Sequence, residues 1–292
     1  MAKTKRVYIC QNCGYQTSKW LGRCTDCGEW NTFVEEEISP KSSRQKAARP
    51  KSVPVMLSNI SEKKIEKRLL TGIEELDLVL GGSIFPASVI LLAGEPGIGK
   101  STLMLQMLLE LQKNDHKTLY VSGEESQQQI KNRAKRLRSS VSNLLILTET
   151  DITEIEYHIE QSNPEVVVVD SVQAVYNPEF SGAPGNVGQV RECAARLFKQ
   201  AKEKQITLFL VGHVTKEGAV AGPKILEHLV DVVIYFEGNI QQHRIIRSVK
   251  NRFGASNELG VFEMFSDGLR EVKDVSGLFL NPHQPPAAGS SI

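Results

Sequence analysis

The chain has 292 residues, 40% hydrophobic and 24% charged, with a net charge of +1, the balance of an ordinary globular protein long enough for one large domain and a small appendage. Its longest apolar runs, Val89–Ala93 and Val166–Val169, are too short to span a bilayer, and Lys3, Lys5 and Arg6 lead into cysteines rather than into the apolar segment of a secretory signal. A protein that neither spans a membrane nor is secreted is expected, cytoplasmic and with reduced thiols. The near-neutral total hides an asymmetry: residues 1–57 hold ten Lys/Arg against five Asp/Glu, and residues 58–292 hold 25 against 29. A basic N-terminus suits contact with a polyanion and equally suits a solvated tether.

In chain order the first signal is Cys10, Cys13, Cys24 and Cys27, spaced C-x2-C-x10-C-x2-C. Each pair places two thiolates on one tight turn, and two facing turns make a tetrahedral sulfur cage for Zn²⁺. Gly14 and Gly28 follow the second cysteine of each pair, where the turn needs a residue that tolerates positive φ. So short a segment cannot build its own core, and the metal is expected to supply the folding energy. Two disulfides are the rival reading, opposed by the reducing compartment. A C4 zinc module is therefore expected over residues 1–36. Residues 37–56 then form a flexible basic linker; Ile38–Pro54 holds five cations, no acids and three prolines.

From about residue 57 to 274 the pattern is that of an α/β domain. Strands are expected at Val89–Ala93, Thr118–Val121, Leu144–Leu147, Val166–Val169, Thr207–Val211 and Val232–Phe236. Helices are expected between most of them, at Ser101–Gln112, Gln127–Leu137, Thr153–Gln161 and Val187–Lys204. This alternation predicts a mostly parallel sheet covered on both faces, followed by hairpins through Arg244–Val249, Gly260–Phe265 and Gly268–Val272. Cys193, within the last helix, reads as a small buried hydrophobe.

After the first strand comes Gly94-Glu95-Pro96-Gly97-Ile98-Gly99-Lys100-Ser101, with Thr102 next, opening a helix. This GxxxxGK[ST] pattern between strand and helix is a phosphate loop. Its glycines let backbone N–H groups turn inward as an anion nest at a helix N-terminus. Lys100 would neutralise the β- and γ-phosphates of ATP, and the Ser101 hydroxyl would ligate Mg²⁺.

Three strand ends add to that site. Beyond Thr118–Val121, Glu124 is the candidate catalytic base, with Glu125 its neighbour or alternate or a helix-capping residue. Asp170, ending Val166–Val169, is the candidate outer-shell partner of Mg²⁺; a helix N-cap is its other reading. His213, after Thr207–Val211, could sense the γ-phosphate or serve as a structural histidine. Two Gly-rich loops, Tyr176–Gly188 and Thr215–Lys224, follow carboxyl-edge strands. They are candidates for sequence-independent contact with DNA phosphates, or plain surface loops.

The cysteine knuckles, Thr71–Asp77, the phosphate loop, Tyr120–Ser126 and Lys250-Asn251-Arg252-Phe253-Gly254 together resemble the bacterial RadA (Sms) family over residues 8–276. That resemblance implies a RecA-like P-loop NTPase core, a hexameric ring, and a DNA translocase or helicase of branch migration that cooperates with a RecA-type recombinase. It also implies catalytic roles for Lys250 and Arg252 on a neighbouring subunit's nucleotide; without it, they read as an exposed basic turn. The chain departs from the family in Gly81-Gly82-Ser83, where three glycines are usual, and in stopping at Ile292. Residues 275–292 stand where a Lon-protease-like scaffold domain would begin. A regulatory ATPase similar to the KaiC-type switches is the alternative function, and DNA-stimulated hydrolysis separates the two.

Overall fold

The computed structural model describes residues 5–11, 14–38, 55–59, 68–137, 143–213, 223–238 and 243–273. Cys13, most of the expected basic tether, residues 215–222 of the second candidate DNA loop and the tail 275–292 lie outside them.

The N-terminal module is a three-stranded antiparallel sheet in the order β2-β1-β3, with β1 Lys5–Cys10, β2 Gln16–Thr17 and β3 Phe33–Ile38. Buried Cys10, Cys24 and Phe33 form its centre, with Tyr8, Leu21 and Cys27 packed around them. So small a cluster cannot offset the chain entropy of ordering the module. Both knuckles close as expected: Gly14 N–H donates to the Cys10 carbonyl at 2.8 Å and Gly28 N–H to the Cys24 carbonyl at 3.0 Å. The two glycines sit at φ +74° and +78°.

The remaining elements, after helix α1 (Glu74–Val79), alternate strand and helix: β4 Val89–Gly94, α2 Lys100–Lys113, β5 Thr118–Ser122, α3 Gln127–Arg136 and β6 Leu145–Thr148. Next come α4 Ile152–Ser162, β7 Val166–Asp170, α5 Val187–Lys204, β8 Thr207–His213, α6 Pro223–Glu227 and β9 Val232–Gly238. An antiparallel meander ends the sheet: β10 His243–Asn251, β11 Leu259–Phe265 and β12 Gly268–Glu271. The nine strands run in the order β12-β11-β10-β9-β4-β8-β7-β5-β6, with the six from β9 to β6 parallel. Every residue of β4, β5 and β7 is buried, which is why these strands read as unbroken apolar runs.

Period-two alternation divides each strand between two cores. Ile90, Leu92, Val166 and Val168 face Leu103, Met104, Met107 and Leu108 of α2 and Ile130 of α3. Val89, Leu91, Val167 and Val169 face Ile152, Ile155 and Ile159 of α4 and Val190, Ala194 and Leu197 of α5. Cys193 belongs to this second core, and burial pushes its thiol up to about 12, as an inert packing residue requires.

Candidate functional site

The site is built where β4, β5, β7 and β8 end. Parallel strands deliver their last residues to one edge, and β8 lies between the strand of the phosphate loop and the strand of Asp170. Residues 94–101 turn from β4 into α2 through Gly97 and Gly99 at φ +77° and +121°. Gly94 has no alternative either, since a Cβ there would stand 2.3 Å from the Phe236 carbonyl oxygen. Ile98 is buried in the first core and pins the loop from beneath, while no side chain caps α2. The first-turn N–H groups therefore remain for an anion.

Lys100 lies 97% out of solvent, and its Nζ donates to the carbonyls of Gly94 and Glu95 at 2.8 Å each. Burial lowers its pKa to about 8, against the opposing pull of Asp170, Glu124 and Glu95. A phosphate would supply the missing counter-charge. Beyond the loop opens a cleft of about 300 Å³, lined by Pro96, Gly97, Gly99, Lys100, Ser101 and Thr102 on one side. Ser122, Glu124, Glu125, Arg133, Asp170 and His213 line the rest.

Asp170 ends β7 buried, and Tyr120, two residues short of the end of β5, donates its hydroxyl to Oδ2 at 2.6 Å. Burial and the Asp170 charge raise the Tyr120 pKa well above its usual value, so the phenol stays protonated as a donor. Asp170 is not a helix cap: the next helix, α5, is capped by Asn186 through the N–H groups of Gly188 and Gln189. Glu124 stands beside His213, Oε1 to Nε2 at 3.2 Å, and accepts the Ser171 hydroxyl. Glu125 instead binds Arg133 of α3, Oε1 to Nη2 at 2.5 Å, so the two adjacent acids are separated by their partners. Lys100, Ser101, a carboxylate held by Ser171 and His213, and one buried aspartate thus share a cleft whose chemistry suits ATP with Mg²⁺.

Tyr120, Ser171 and Arg133 were not legible as site residues. A tyrosine in an apolar strand and an arginine on a mostly exposed helix carry no periodic signal for the cleft they reach.

Lys250 and Arg252 are not in this cleft. β10 runs antiparallel to β9 with Lys250 opposite Val233 and Asn251 opposite Val232, which places the pentapeptide at the amino edge of the parallel strands. The Lys250 Nζ donates to the carbonyls of Glu227 at 2.5 Å and Val230 at 2.8 Å. Arg252 reaches Asp231 at 3.2 Å, a buried carboxylate that also accepts from Lys202 Nζ at 2.6 Å and Val89 N–H at 2.9 Å. Asn251 Nδ2 donates to the Leu80 carbonyl at 3.1 Å, and Phe253 stacks on Phe85 with centroids 4.1 Å apart. The loop Tyr176–Gly188 is tied down by buried Gln189, which bonds the backbone of Asn177, Phe180 and Gly182.

In the N-terminal module the Sγ atoms of Cys10, Cys24 and Cys27 lie within 4.8 Å of one another. Cys10 and Cys27 are 3.7 Å apart, near the edge of about 3.8 Å in a tetrahedron of ~2.3 Å zinc–sulfur bonds. Neither is in a disulfide, and three thiols converging in this way fit Zn²⁺.

Sheet order and cleft define a RecA-like P-loop ATPase core, here joined to a zinc-binding module. The chain belongs to the family described as the AAA domain, which matches residues 58–219, and residues 8–35 match the rubredoxin metal binding domain. The resemblance to bacterial RadA is borne out along the whole chain. It is 50% identical to the DNA repair protein RadA of Bacillus subtilis (strain 168), covering 100% of this chain and 65% of that protein. The Pseudomonas aeruginosa RadA is 48% identical over 100% of the chain and 65% of its own length, and the Chlamydia trachomatis RadA 48% over 99% and 64%. The chain therefore spans about 65% of these relatives. A solved structure, the ATPase domain of G40P, shares the fold at 14% identity with a TM-score of 0.61, covering 73% of this chain and 95% of that one.

Proposed function

We propose that this chain hydrolyses ATP and couples turnover to the movement of DNA strands, acting as a translocase or helicase of branch migration in recombinational repair. The observation that carries this reading is the convergence of Lys100, Glu124 and Asp170 on one cleft at the carboxyl edge of the sheet. The Lys100 ammonium balances charge on the β- and γ-phosphates while the amides of residues 97–102 hold their oxygens. Ser101 and Asp170 would hold Mg²⁺, which when bound supplies charge neutralisation at the phosphates. Glu124 accepts the proton of the attacking water, and the His213 contact to its Oε1 lets the strand of His213 sense the γ-phosphate.

Lys250 and Arg252 complete the proposal from a neighbouring subunit. Their place at the opposite sheet edge from their own phosphate loop is what a residue serving another chain's nucleotide requires. Homo-oligomerisation into a ring follows from that sharing, and six subunits is the number the family resemblance implies. The RadA relatives are DNA repair proteins, and a RecA-type recombinase is the partner this reading expects. The test is ATP turnover with and without single-stranded and branched DNA. Stimulation of tenfold or more by DNA is expected. Turnover indifferent to DNA, with nucleotide-controlled assembly, would favour the regulatory alternative.

A further inference from the structure

The zinc-binding module leaves its two largest apolar side chains in solvent. Trp20 is 53% exposed and Trp30 66%, and neither joins the cluster that Cys10, Cys24, Phe33, Tyr8, Leu21 and Cys27 form around the metal site. They are not scattered: both indoles reach within 4.0 Å of the position a Cβ would take on Gly22, so the rings stand side by side over a residue with no side chain. Backbone pairing fixes the arrangement. Arg23 and Trp30 face each other in an antiparallel bridge, and Asn31 N–H donates to the Gly22 carbonyl at 2.8 Å. The Arg23 guanidinium, tethered through Nε to the Gly28 carbonyl at 2.9 Å, lies 5.8 Å from the Trp30 ring centroid. Exposed Lys19 precedes the pair in sequence.

We infer that Trp20 and Trp30 form a stacking platform for single-stranded nucleic acid, with Lys19 and Arg23 supplying the phosphate contacts. Bases of any sequence present a π-face to such rings, and a guanidinium beside an indole serves both ring and phosphate. Charge favours this occupant over a protein: residues 38–54, which follow the module in the sequence, add five cations and no acid. Residues 1–37 themselves balance five Lys/Arg against five Asp/Glu, so stacking rather than counterion release dominates at the platform itself. The inference uses the DNA reading above only to name the polymer; the platform is separate from the ATPase cleft.

The experiment uses the full chain, whose only two tryptophans are these. Intrinsic fluorescence is titrated with oligo(dT), and anisotropy of dye-labelled oligo(dT) is followed in parallel. Binding should quench the emission strongly. Trp20→Ala and Trp30→Ala should each weaken affinity roughly 5- to 150-fold, while Trp30→Phe retains most of it and zinc content stays unchanged. Anisotropy showing binding with no change in emission, or alanine variants binding as tightly as the parent, would overturn the platform while leaving the motor reading intact. Quenching without DNA-stimulated ATP turnover would uphold the platform and remove the motor. An emission change on adding a RecA-type recombinase but not oligo(dT) would also overturn it, giving the surface to a protein.

Discussion

Lys100 shows how a buried charge is held for a ligand. Its ammonium has two carbonyls but no carboxylate in hydrogen-bond reach, and burial brings its pKa down to about 8. Between that value and 10.5 the unfolded chain binds more protons than the folded one, so this group's contribution to stability rises with pH across the window. Bound phosphate reverses the preference by favouring the ammonium. Nucleotide affinity should therefore fall as pH rises past about 8, with uptake of about half a proton on binding at pH 8. Calorimetry in buffers of different ionisation enthalpy reads this directly. Lys100→Ala should remove the uptake and cut turnover at least about a hundredfold, with the thermal midpoint unchanged or raised. At Asp170 the expected lever is Tyr120: Tyr120→Phe frees a carboxylate oxygen that the phenol now orients at 2.6 Å. The Mg²⁺ concentration for half-maximal turnover should rise roughly tenfold, as for loss of other outer-shell partners of a ligand. A variant that merely lost stability would keep the parent's metal dependence.

At the scale of elements the zinc-binding module and the sheet differ in what holds them. Strands β4, β5 and β7 are buried along their whole lengths and would survive the loss of a single side chain. β1–β3 surround a buried centre of three residues, two of them cysteines. Purified protein should carry about one zinc per chain, and chelation under reducing conditions should unfold the module alone. Protection of the β1–β3 amides from hydrogen exchange should vanish while that of β4 and β7 persists. Zinc absent from a module that remains protected would contradict the assignment. Cys24→Ser should act as chelation does, because Cys24 is both a thiol of the cluster and part of the small core that the module's described residues form with Cys10 and Phe33.

Across the whole molecule, the amino and carboxyl edges of one sheet carry the two halves of the proposed chemistry. Lys250 and Arg252 are engaged within their own chain by carbonyls of Glu227 and Val230 and by Asp231, and no rotation of their side chains crosses the sheet to Lys100. A shared site then predicts complementation. Arg252→Ala should bind ATP nearly as the parent does yet turn it over at least about tenfold more slowly, since in the proposed shared site the fork would act on a neighbour's γ-phosphate. Mixed with Lys100→Ala, it should regain part of its activity at junctions where one intact half meets another. Mixed oligomers demonstrated by cross-linking, with turnover no higher than either variant alone, would argue against sharing.

The local grammar of this protein was readable without coordinates. Four cysteines in two knuckles, glycines where φ must be positive, and a GxxxxGK[ST] loop after an apolar run each follow from short-range constraints that a few neighbouring residues impose. Strand positions followed as well, because burial on both faces leaves continuous apolar runs such as Val166–Val169. Helix α1, six residues long, gave too few turns for a period to appear. What the sequence left open was decided by which strands become neighbours. Glu124 and Glu125 are chemically equal in the chain, and only the approach of His213 and Ser171 to one and of Arg133 to the other distinguishes them. The choice between cap and cleft for Asp170 turned on α5 starting far downstream. Tyr120 reaches Asp170 because β5 and β7 are adjacent in the sheet though 50 residues apart in the chain. Arg133 lies only eight residues from Glu125, but the pairings of Glu124 with His213 and Ser171 and of Tyr120 with Asp170 arise from long-range contacts whose closure leaves no local pattern, so tertiary structure alone assigns them.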